Sequence, residues 1–418
     1  MLLAGNRTST LEVLHKHGPC SQLAQGQSPL NHTKALLQDE SRVKWIQSRS
    51  SNGNDGLKAS AVASLPANSG ITLGTANYIV TVGLGTPKKD LTLIFDTGSS
   101  LTWIQCEPCL LCYNQSDPIF DPLQSSSYSN ILCNSTSCSQ LNSTVGVLCS
   151  ISECVYAIQY GDSSTSVGFF ATENLTISPT DVIDNFEFGC GEANQGLFGE
   201  VAGLIGLSDD NISFVEQTAT KYGKYFSYCL PSTTSSTGYL TFGKDPGASS
   251  SVSFTPISKV PESSEFYGIS IVGISVGGNR LSIPSKVFSS GGAIIDSGTV
   301  ISQLPPTAYK ALNTTFRKAM ANYTMAPALS FLDTCYDFSN ESIITFPIIT
   351  FSFAGGVDVD LDFSGIFYVV NASQVCLAFA ANSADSDLGI YGNVQQTTFE
   401  VVYDVAGGRL GFGSNGCS

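Results

Sequence analysis

The stretch IFDTGS at residues 94–99 returns as IIDSGT at residues 294–299, and this repeat decides the fold. In each copy a short apolar run ends in an Asp, which is followed by a hydroxyl residue, a Gly and a second hydroxyl residue. A second motif follows in each half, GLIG at 203–206 and GIYG at 389–392. Two halves with the same pair of motifs predict two related lobes, each of which contributes one Asp to a shared cleft.

The paired carboxylates of Asp96 and Asp296 are the candidate chemical groups. Gly98 and Gly298 allow each loop to turn tightly and to approach the other loop closely. Two carboxylates within hydrogen-bond distance share a proton, so one can take a proton from water while the other donates to a carbonyl oxygen. A single motif of this kind is typical of an ordinary turn between strands. The duplication is what favours a catalytic pair.

The hydroxyl residues beside the two Asp residues have predicted supporting roles. Thr97 and Ser297 can tie the two loops together. Ser99 and Thr299 can donate hydrogen bonds to the outer carboxylate oxygens.

The body of the chain is predicted to be mostly β, because short apolar runs alternate with Gly, Pro, Asn and Ser. Helices are predicted at Thr33–Arg49 and at Ala308–Asn322, the second after a Pro-Pro pair. We expect a prosegment and linker at 1–65, an N-terminal β lobe at 66–248 and a C-terminal β lobe at 249–418. Cleavage is expected somewhere near residues 58–76.

Charge and histidine content exclude several functions. The net charge is −15; residues 1–65 hold seven basic and four acidic residues, and the rest holds twelve basic and thirty acidic. A body with a net charge of −18 repels phosphate backbones, so no nucleic-acid partner is expected. All three histidines, His15, His17 and His32, lie in residues 1–65. The remainder therefore excludes Ser-His-Asp triads and His-ligated zinc, and the predicted chemistry needs no metal or cofactor.

The cysteines predict disulfide bonds and an oxidising compartment. Apart from Cys20, they form an even set: Cys106, Cys109, Cys112, Cys133, Cys138, Cys149, Cys154, Cys190, Cys229, Cys335, Cys376 and Cys417. The spacing of the first three also fits zinc ligands, which remains an alternative. Nine Asn-x-Ser/Thr sequons after residue 65 favour a glycoprotein of the secretory pathway. The first residues lack the apolar segment of a signal peptide, so the start is expected to be truncated or misassigned.

These motifs together resemble the pepsin-type aspartic proteases, and within them the plant nepenthesin-like branch. The resemblance spans about residues 77–418 and implies a bilobal fold in which Asp96 and Asp296 are catalytic. It also implies that Tyr160 and Gly161 belong to a flap, a hairpin that closes over substrate, and that Trp103 steadies the tyrosine. On sequence alone Trp103 is a core residue. One departure is Ser163, where relatives often have Gly; if the backbone has positive φ there, Ser costs free energy.

The resemblance extends to the cysteines and to the N-terminus. Residues 106–154 match a Cys-rich insertion of the plant branch, and LHKHGPC at 14–20 resembles the prosegment of plant relatives. The implied disulfide pairs are 106–109, 133–154, 138–149, 112–190, 229–417 and 335–376, whereas the sequence alone leaves the pairing open.

The expected protein is a secreted, monomeric aspartic endopeptidase made as a zymogen, active in acid on protein or peptide substrates and without a membrane partner. Its own basic prosegment is expected to hold to the acidic body until acid weakens that attraction and permits self-processing. The apoplast is the expected site, with vacuole and plastid as alternatives. Two rival functions are an inactive binding or inhibitor protein on the same fold and a nucleic-acid-binding protein of the plastid.

Overall fold

The computed structural model describes residues 9–15, 31–51, 78–141, 145–160, 163–196, 198–233, 236–244, 251–260, 265–414 and 416–417. The strands of the first half are β1 Ser9–His15, β2 Tyr78–Leu84, β3 Lys89–Asp96, β4 Trp103–Gln105, β5 Ser129–Asn130, β6 Gly146–Ser150, β7 Glu153–Gln159, β8 Thr165–Ser178, β9 Asp181–Gln195, β10 Gly203–Gly206, β11 Tyr225–Cys229 and β12 Thr237–Phe242.

The second half has its own series of short strands. They are β13 Ser253–Pro256, β14 Ile271–Val276, β15 Asn279–Arg280, β16 Ala293–Ile295, β17 Ser302–Leu304, β18 Thr324–Ala326, β19 Cys335–Asp337, β20 Ile349–Phe353, β21 Val357–Leu361, β22 Phe367–Asn371, β23 Gln374–Leu377, β24 Phe379–Ala381, β25 Gly389–Tyr391, β26 Glu400–Asp404 and β27 Arg409–Gly413.

Helices make up the smaller part of the molecule. They are α1 His32–Ser51, α2 Thr136–Gln140, α3 Phe214–Gln217, α4 Ala219–Tyr222, α5 Ser285–Gly291, α6 Pro306–Ala319 and α7 Phe363–Ile366. Both predicted helices are present, as α1 and α6; α6 begins at Pro306, within the Pro-Pro pair and two residues earlier than predicted, and it ends at Ala319 rather than Asn322. The predicted mostly β, bilobal fold is confirmed. No helix in the described ranges is long and apolar enough to span a membrane.

The repeat seen in the sequence is a repeat of strand pairing. In the first half β3 runs parallel to β10, and Asp96 lies opposite Gly206. In the second half β16 runs parallel to β25, and Ile295 lies opposite Tyr391. The second motif of each half is thus the strand that holds the Asp-bearing strand in place, which explains why the two motifs occur together.

A central sheet joins the halves and includes a strand from the predicted prosegment. Strand β1 pairs with β12 on one side and begins pairing with β2 on the other, where Leu14 lies opposite Ile79. Further along, β11 pairs with β26 of the second half. Leu11 and Val13 of β1 are buried in the main apolar core, so residues 9–15 form part of the folded body.

The disulfides confirm two predicted pairs and correct four. Cys229–Cys417 and Cys335–Cys376 are present as predicted. The remaining bonds are Cys106–Cys190, Cys109–Cys112, Cys133–Cys149 and Cys138–Cys154, so the predicted pairs 106–109, 112–190, 133–154 and 138–149 are wrong. All twelve sulfurs are used in disulfides, so the zinc alternative does not hold for Cys106, Cys109 and Cys112.

Strand pairing and burial explain the corrected pairs. Strand β4 runs parallel to β9, which brings Cys106 to 5.3 Å from Cys190 between Cα atoms. In the hairpin of β6 and β7, Cys154 is buried and meets the buried Cys138 of α2, whereas the exposed Cys149 meets Cys133. Spacing along the chain does not contain this information.

One predicted sequon lies in the interior. Asn313 of α6 is 8% exposed, and its Nδ2 donates to the Tyr309 hydroxyl and to Asp333 Oδ1, both at 3.1 Å. A glycan on this nitrogen is incompatible with these contacts.

Candidate active site

The structure brings Asp96 and Asp296 together at the meeting point of the two halves. Asp96 is the last residue of β3, and Asp296 follows β16 directly. Their exposed fractions are 1% and 0%. The apolar runs that precede them form central strands, which deliver each carboxylate to a fixed point.

The Asp96 carboxylate accepts hydrogen bonds from its own loop. The backbone N–H of Gly98 donates to Oδ1 at 2.9 Å, and the Ser99 hydroxyl donates to Oδ2 at 2.5 Å. Oδ1 faces the opposite loop, since a Cβ on Gly298 would lie 2.5 Å from it, so Oδ2 is the outer oxygen and Ser99 makes the contact that the sequence predicted.

The Asp296 carboxylate has the same set of donors. Gly298 N–H donates to Oδ1 at 3.0 Å, and the Thr299 hydroxyl donates to Oδ2 at 2.5 Å. Repetition of the motif has produced repetition of the local geometry.

The two loops are tied together by a reciprocal pair of hydrogen bonds. Thr97 N–H donates to the Ser297 hydroxyl at 3.1 Å, and Ser297 N–H donates to the Thr97 hydroxyl at 2.9 Å. All four groups are buried, so each bond satisfies a backbone donor that would otherwise be left unpaired at a cost of about 1–3 kcal/mol. This is the predicted tie between the loops.

The glycines of both motifs are required by close approach. A Cβ on Gly98 would lie 2.6 Å from Arg42 Nη2 and 2.8 Å from Asp296 Oδ1. A Cβ on Gly298 would lie 2.5 Å from Asp96 Oδ1 and would also overlap Arg42. Any side chain at either position would collide with the opposite carboxylate.

Arg42 of α1 lies between the two carboxylates, and sequence reasoning missed it. Its Nη1 and Nη2 donate to Asp96 Oδ2 and Oδ1 at 3.0 and 2.7 Å. Its Nε and Nη2 donate to Asp296 Oδ2 and Oδ1, both at 3.0 Å. One planar guanidinium therefore binds both carboxylates in bidentate fashion, which a Lys ammonium could not do. The available signal was a basic residue on a predicted helix within a stretch of opposite charge to the body.

The two carboxyls have opposite pKa shifts. Burial raises the pKa of Asp96 above its ordinary 3.8, and this outweighs the lowering by the charge of Arg42. Burial also raises the pKa of Asp296, but the charge and hydrogen bonds of Arg42, with those of Thr299 and Gly298, outweigh it and leave the pKa below 3.8. With α1 in place, Asp96 therefore takes up a proton before Asp296 as the pH falls.

A second missed residue, Asp39, fixes α1 one helical turn away from Arg42. Its carboxylate oxygens accept hydrogen bonds from the backbone N–H groups of Val300 and Ile301 at 2.6 and 2.9 Å. Burial raises the pKa of Asp39 to about 7, although these N–H groups and Arg42 lower it. Because Asp39 and Arg42 are three residues apart, they lie on the same face of the helix, which faces the cleft.

Further contacts hold α1 along the cleft, mostly against the C-terminal half. Val43 and Ile46 pack in a buried apolar cluster with Leu388. The Gln47 side-chain amide accepts from Leu388 N–H at 2.8 Å and donates to Leu388 O at 2.5 Å. Arg49 forms an ion pair with Glu265 at 3.2 Å. Helix α1 thus occupies the space in front of the two Asp residues.

The hairpin of β7 and β8 carries the predicted flap tyrosine. Trp103 Nε1 donates to the Tyr160 hydroxyl at 2.8 Å, and both side chains are buried. Ser163 at the hairpin tip has φ of +67°, so the position does require the conformation that favours Gly. The third predicted flap residue, Gly161, lies outside the described residues.

Comparison with known proteins gives matches over nearly the whole chain. Family models described as xylanase inhibitor N-terminal and xylanase inhibitor C-terminal match residues 78–244 and 266–414. The chain is 56% identical to an aspartyl protease family protein of Arabidopsis thaliana over 99% of this chain and 89% of that protein. It is 37% identical to aspartic proteinase nepenthesin-2 of Nepenthes gracilis over 85% of this chain and 82% of that protein.

Solved structures show the same fold at low identity. The crystal structure of basic 7S globulin from soybean has a TM-score of 0.65 and is 20% identical, over 81% of this chain and 93% of that one. The crystal structure titled edgp has a TM-score of 0.67 and is 21% identical, over 82% of this chain and 92% of that one.

Proposed function

The chain belongs to the plant pepsin-type aspartic protease family, and from this premise we propose that it is an aspartic endopeptidase that works at acidic pH. The observation that carries the proposal is the pair of buried carboxylates, Asp96 and Asp296, each with the same donors and with one cation shared between them. A site that binds one guanidinium with both carboxylates is also wide enough to place a water between them.

The proposed reaction uses the pair as acid and base. The ionised carboxylate takes a proton from the water, whose oxygen forms a bond to the scissile carbonyl carbon. The protonated carboxyl donates its proton to the carbonyl oxygen, which gives a neutral tetrahedral intermediate. Proton transfer to the amide nitrogen then allows the C–N bond to break, and the products are a carboxylic acid and an amine.

The precursor is proposed to be a latent zymogen, with 1–65 as its prosegment. Arg42 occupies the place of the water and of the scissile bond, and Asp39 uses two backbone donors of the cleft. Substrate and α1 therefore compete for the same groups. The proposed cleavage region, residues 58–76, lies outside the described residues.

The secretory pathway and the apoplast remain the proposed location. The protein is proposed to be a monomer that acts on protein or peptide substrates. Six disulfides support an oxidising compartment. Both Asp residues come from a single chain, so a second copy is not needed to complete the site.

The proposal is tested by cleavage of denatured haemoglobin between pH 2 and 8 by the matured chain, with and without pepstatin. We expect cleavage in acid that pepstatin abolishes. Cleavage that persists with pepstatin would contradict the proposal.

An inactive inhibitor or binding protein is the second candidate, because the matching family models are described as xylanase inhibitor domains. Both Asp-[Thr/Ser]-Gly motifs are intact, which favours the enzyme. A folded, matured chain that cleaves nothing between pH 2 and 8 but inhibits a xylanase would establish the second candidate.

A further inference from the structure

A cavity lies beside α1 on the C-terminal half of the cleft, separate from the paired Asp residues. Its volume is about 200 Å³. On the side of the body it is lined by Gln303, Tyr309, Phe331, Asp333, Ala380 and Ala381. Glu40 and Val43 of α1 line the other side, so removal of α1 would open this cavity to a substrate.

The exposed Asp333 carboxylate at this cavity is held by three donors that all reach one oxygen. Asp333 Oδ1 lies 2.5 Å from the Tyr309 hydroxyl, 2.8 Å from the Thr334 hydroxyl and 3.1 Å from Asn313 Nδ2. Tyr309, Asn313 and Thr334 are buried. Within the described part of the chain, Asp333 forms no ion pair, so a carboxylate in a fixed orientation is presented without a cation.

The position of the cavity along the cleft follows from α1. Glu40 and Val43 are neighbours of Arg42, which binds the two Asp residues, so the cavity is within about one helical turn, ~5.4 Å, of that contact along the helix axis. An extended peptide advances about 3.3 Å per residue. A substrate side chain that enters the cavity is therefore within about two residues of the scissile bond.

We propose, on the basis of the function proposed above, that this cavity is a subsite that favours a Lys or Arg side chain of the substrate, and that Asp333 determines the preference. The methylene groups of a long basic side chain would pack on Tyr309 and Phe331, and its charged end would meet Asp333. In the precursor, neither Arg42 nor Lys44 of α1 pairs with Asp333. Helix α1 presents Glu40 to the cavity, Lys44 pairs with Glu40 at 2.7 Å, and Arg42 is bound by the two catalytic candidates.

The test uses the full chain cut between α1 and β2 by an added protease, with quenched peptides that carry Lys, Leu or Glu at each position near the scissile bond. At one position we expect kcat/KM to be roughly fivefold higher for Lys than for Leu. A ratio of this size corresponds to the free energy of one partly exposed ion pair. Asp333→Asn should remove this ratio, while the matched control Asp358→Asn, an exposed Asp of β21 on the same half, should keep it. A Lys preference at no position, or one that survives Asp333→Asn, would overturn the proposal.

A charge-reversal variant guards against a purely structural effect of Asp333→Asn. Asp333→Lys should shift the preference at the same position from Lys to Glu. General loss of activity on all peptides alike in both variants, with no change of the Lys-to-Leu ratio, would assign Asp333 a structural role and overturn the proposal.

The subsite can be judged even if catalysis fails. In the cut Asp96→Asn chain, which is not expected to cleave, the Kd of a Lys peptide should be roughly fivefold lower than that of its Leu counterpart. The difference should vanish when Asp333→Asn is added. Equal Kd values without that addition would overturn the subsite, whereas a wild-type chain that cleaves no peptide overturns only the endopeptidase.

Discussion

The loops that carry Asp96 and Asp296 have the same hydrogen-bond donors, and yet the pKa shifts of the two carboxyls have opposite signs. Each carboxylate accepts from a glycine N–H, from a hydroxyl three residues later and from two nitrogens of Arg42. Burial prevails at Asp96, whereas the attraction of Arg42 prevails at Asp296. The repeated motif therefore sets the geometry of the pair, and the asymmetric surroundings set its protonation.

The coverings of the two loops differ as well. The first loop lies beneath the hairpin of β7 and β8, where Trp103 and Tyr160 form a hydrogen bond. The second loop is covered by α1, whose Asp39 binds the backbone of Val300 and Ile301. The first loop is thus covered by a hairpin of the body, and the second by a helix of the proposed prosegment.

Replacement of Arg42, the cation that both carboxylates bind, should weaken the docking of α1 more than any other change. Arg42→Met removes the partner of two buried carboxylates, and breaking a buried ion pair costs about 3–5 kcal/mol. We expect α1 to dock at least ~100-fold more weakly. The measurement is peptide cleavage by the uncut chain at mildly acidic pH, which should rise accordingly.

Two variants control this prediction. Lys44→Met removes a cation of the same helix whose side chain is 72% exposed, and it should leave latency unchanged. Arg42→Lys keeps the charge but not the two bidentate contacts, and it should give an intermediate result. An uncut Arg42→Met chain as latent as the wild type would show that Arg42 does not hold α1 on the pair.

The docking of α1 should weaken at both ends of the pH range, which gives its pH profile an acid limb and a neutral limb. The pKa of Asp296 is lowered, so its stabilising pairing with Arg42 is present above pH 3.8 and is lost as the pH falls through the lowered pKa. The pKa of Asp39 is raised to about 7, so its contribution is full below 3.8 and is lost as the pH rises through 7. Arg42 lowers the pKa of Asp96 as well, against the raising by burial, so its pairing with Asp96 is also lost as the pH falls. Docking should be firmest between about pH 4 and 6.

Hydrogen exchange of the α1 amides from pH 2 to 8, corrected for intrinsic rates, measures these limbs. Asp39→Ala should weaken docking and remove the loss near pH 7, while the acid limb stays. A profile that keeps its neutral limb in Asp39→Ala would assign that limb to another group.

Loss of either hydroxyl acceptor in the reciprocal hydrogen bonds between the two loops should lower the free energy of unfolding by a similar amount. Thr97→Val and Ser297→Ala each leave one buried backbone N–H without an acceptor, which costs about 1–3 kcal/mol. The two thermal midpoints should fall by similar amounts, and Thr172→Val, at a less buried strand position, should change the midpoint little. A fall of the thermal midpoint in only one of the two variants would mean that only one of the two hydrogen bonds stabilises the contact between the loops.

The smallest effect is expected at the tip of the hairpin of β7 and β8. Ser163→Gly relieves a left-handed backbone at φ of +67°, with a local gain of roughly 0.5 kcal/mol after the entropy of Gly is counted. The exchange of the Ser163 amide, which donates to Tyr160 O at 3.0 Å, should slow slightly. Ser163→Ala keeps the strain and should give no gain; an equal gain in both variants would assign the effect to the lost hydroxyl.

The sequence predicted the paired Asp loops because strand, turn and hydroxyl positions recur in fixed order around Asp96 and Asp296. It did not predict Arg42 or Asp39, because their partners lie on other elements, 54 residues away for Asp96 and more than 250 residues away for Asp296 and Val300. The helix that carries them was predicted, as Thr33–Arg49, and the opposite charges of prosegment and body indicated attraction. Only the docked geometry shows which of the seven basic residues in 1–65 binds the two carboxylates.

The disulfides mark the other limit of prediction from sequence. Cys133, Cys138, Cys149 and Cys154 lie close together in the chain, and several pairings satisfy their spacing. Only the burial of Cys138 and Cys154 in the folded insertion separates the pairs. In contrast, Cys229–Cys417 joins β11 to the end of the chain and was predicted correctly from the resemblance.

The most direct test of the proposed mechanism is kcat/KM of the matured chain on one peptide near pH 4, for the wild type, Asp96→Asn and Asp296→Asn, with Asp358→Asn as matched control. The account predicts that each of the first two variants loses roughly 1000-fold or more while it remains folded, and that the control does not. Activity that survives in a folded Asp96→Asn or Asp296→Asn chain would contradict catalysis by the carboxylate pair.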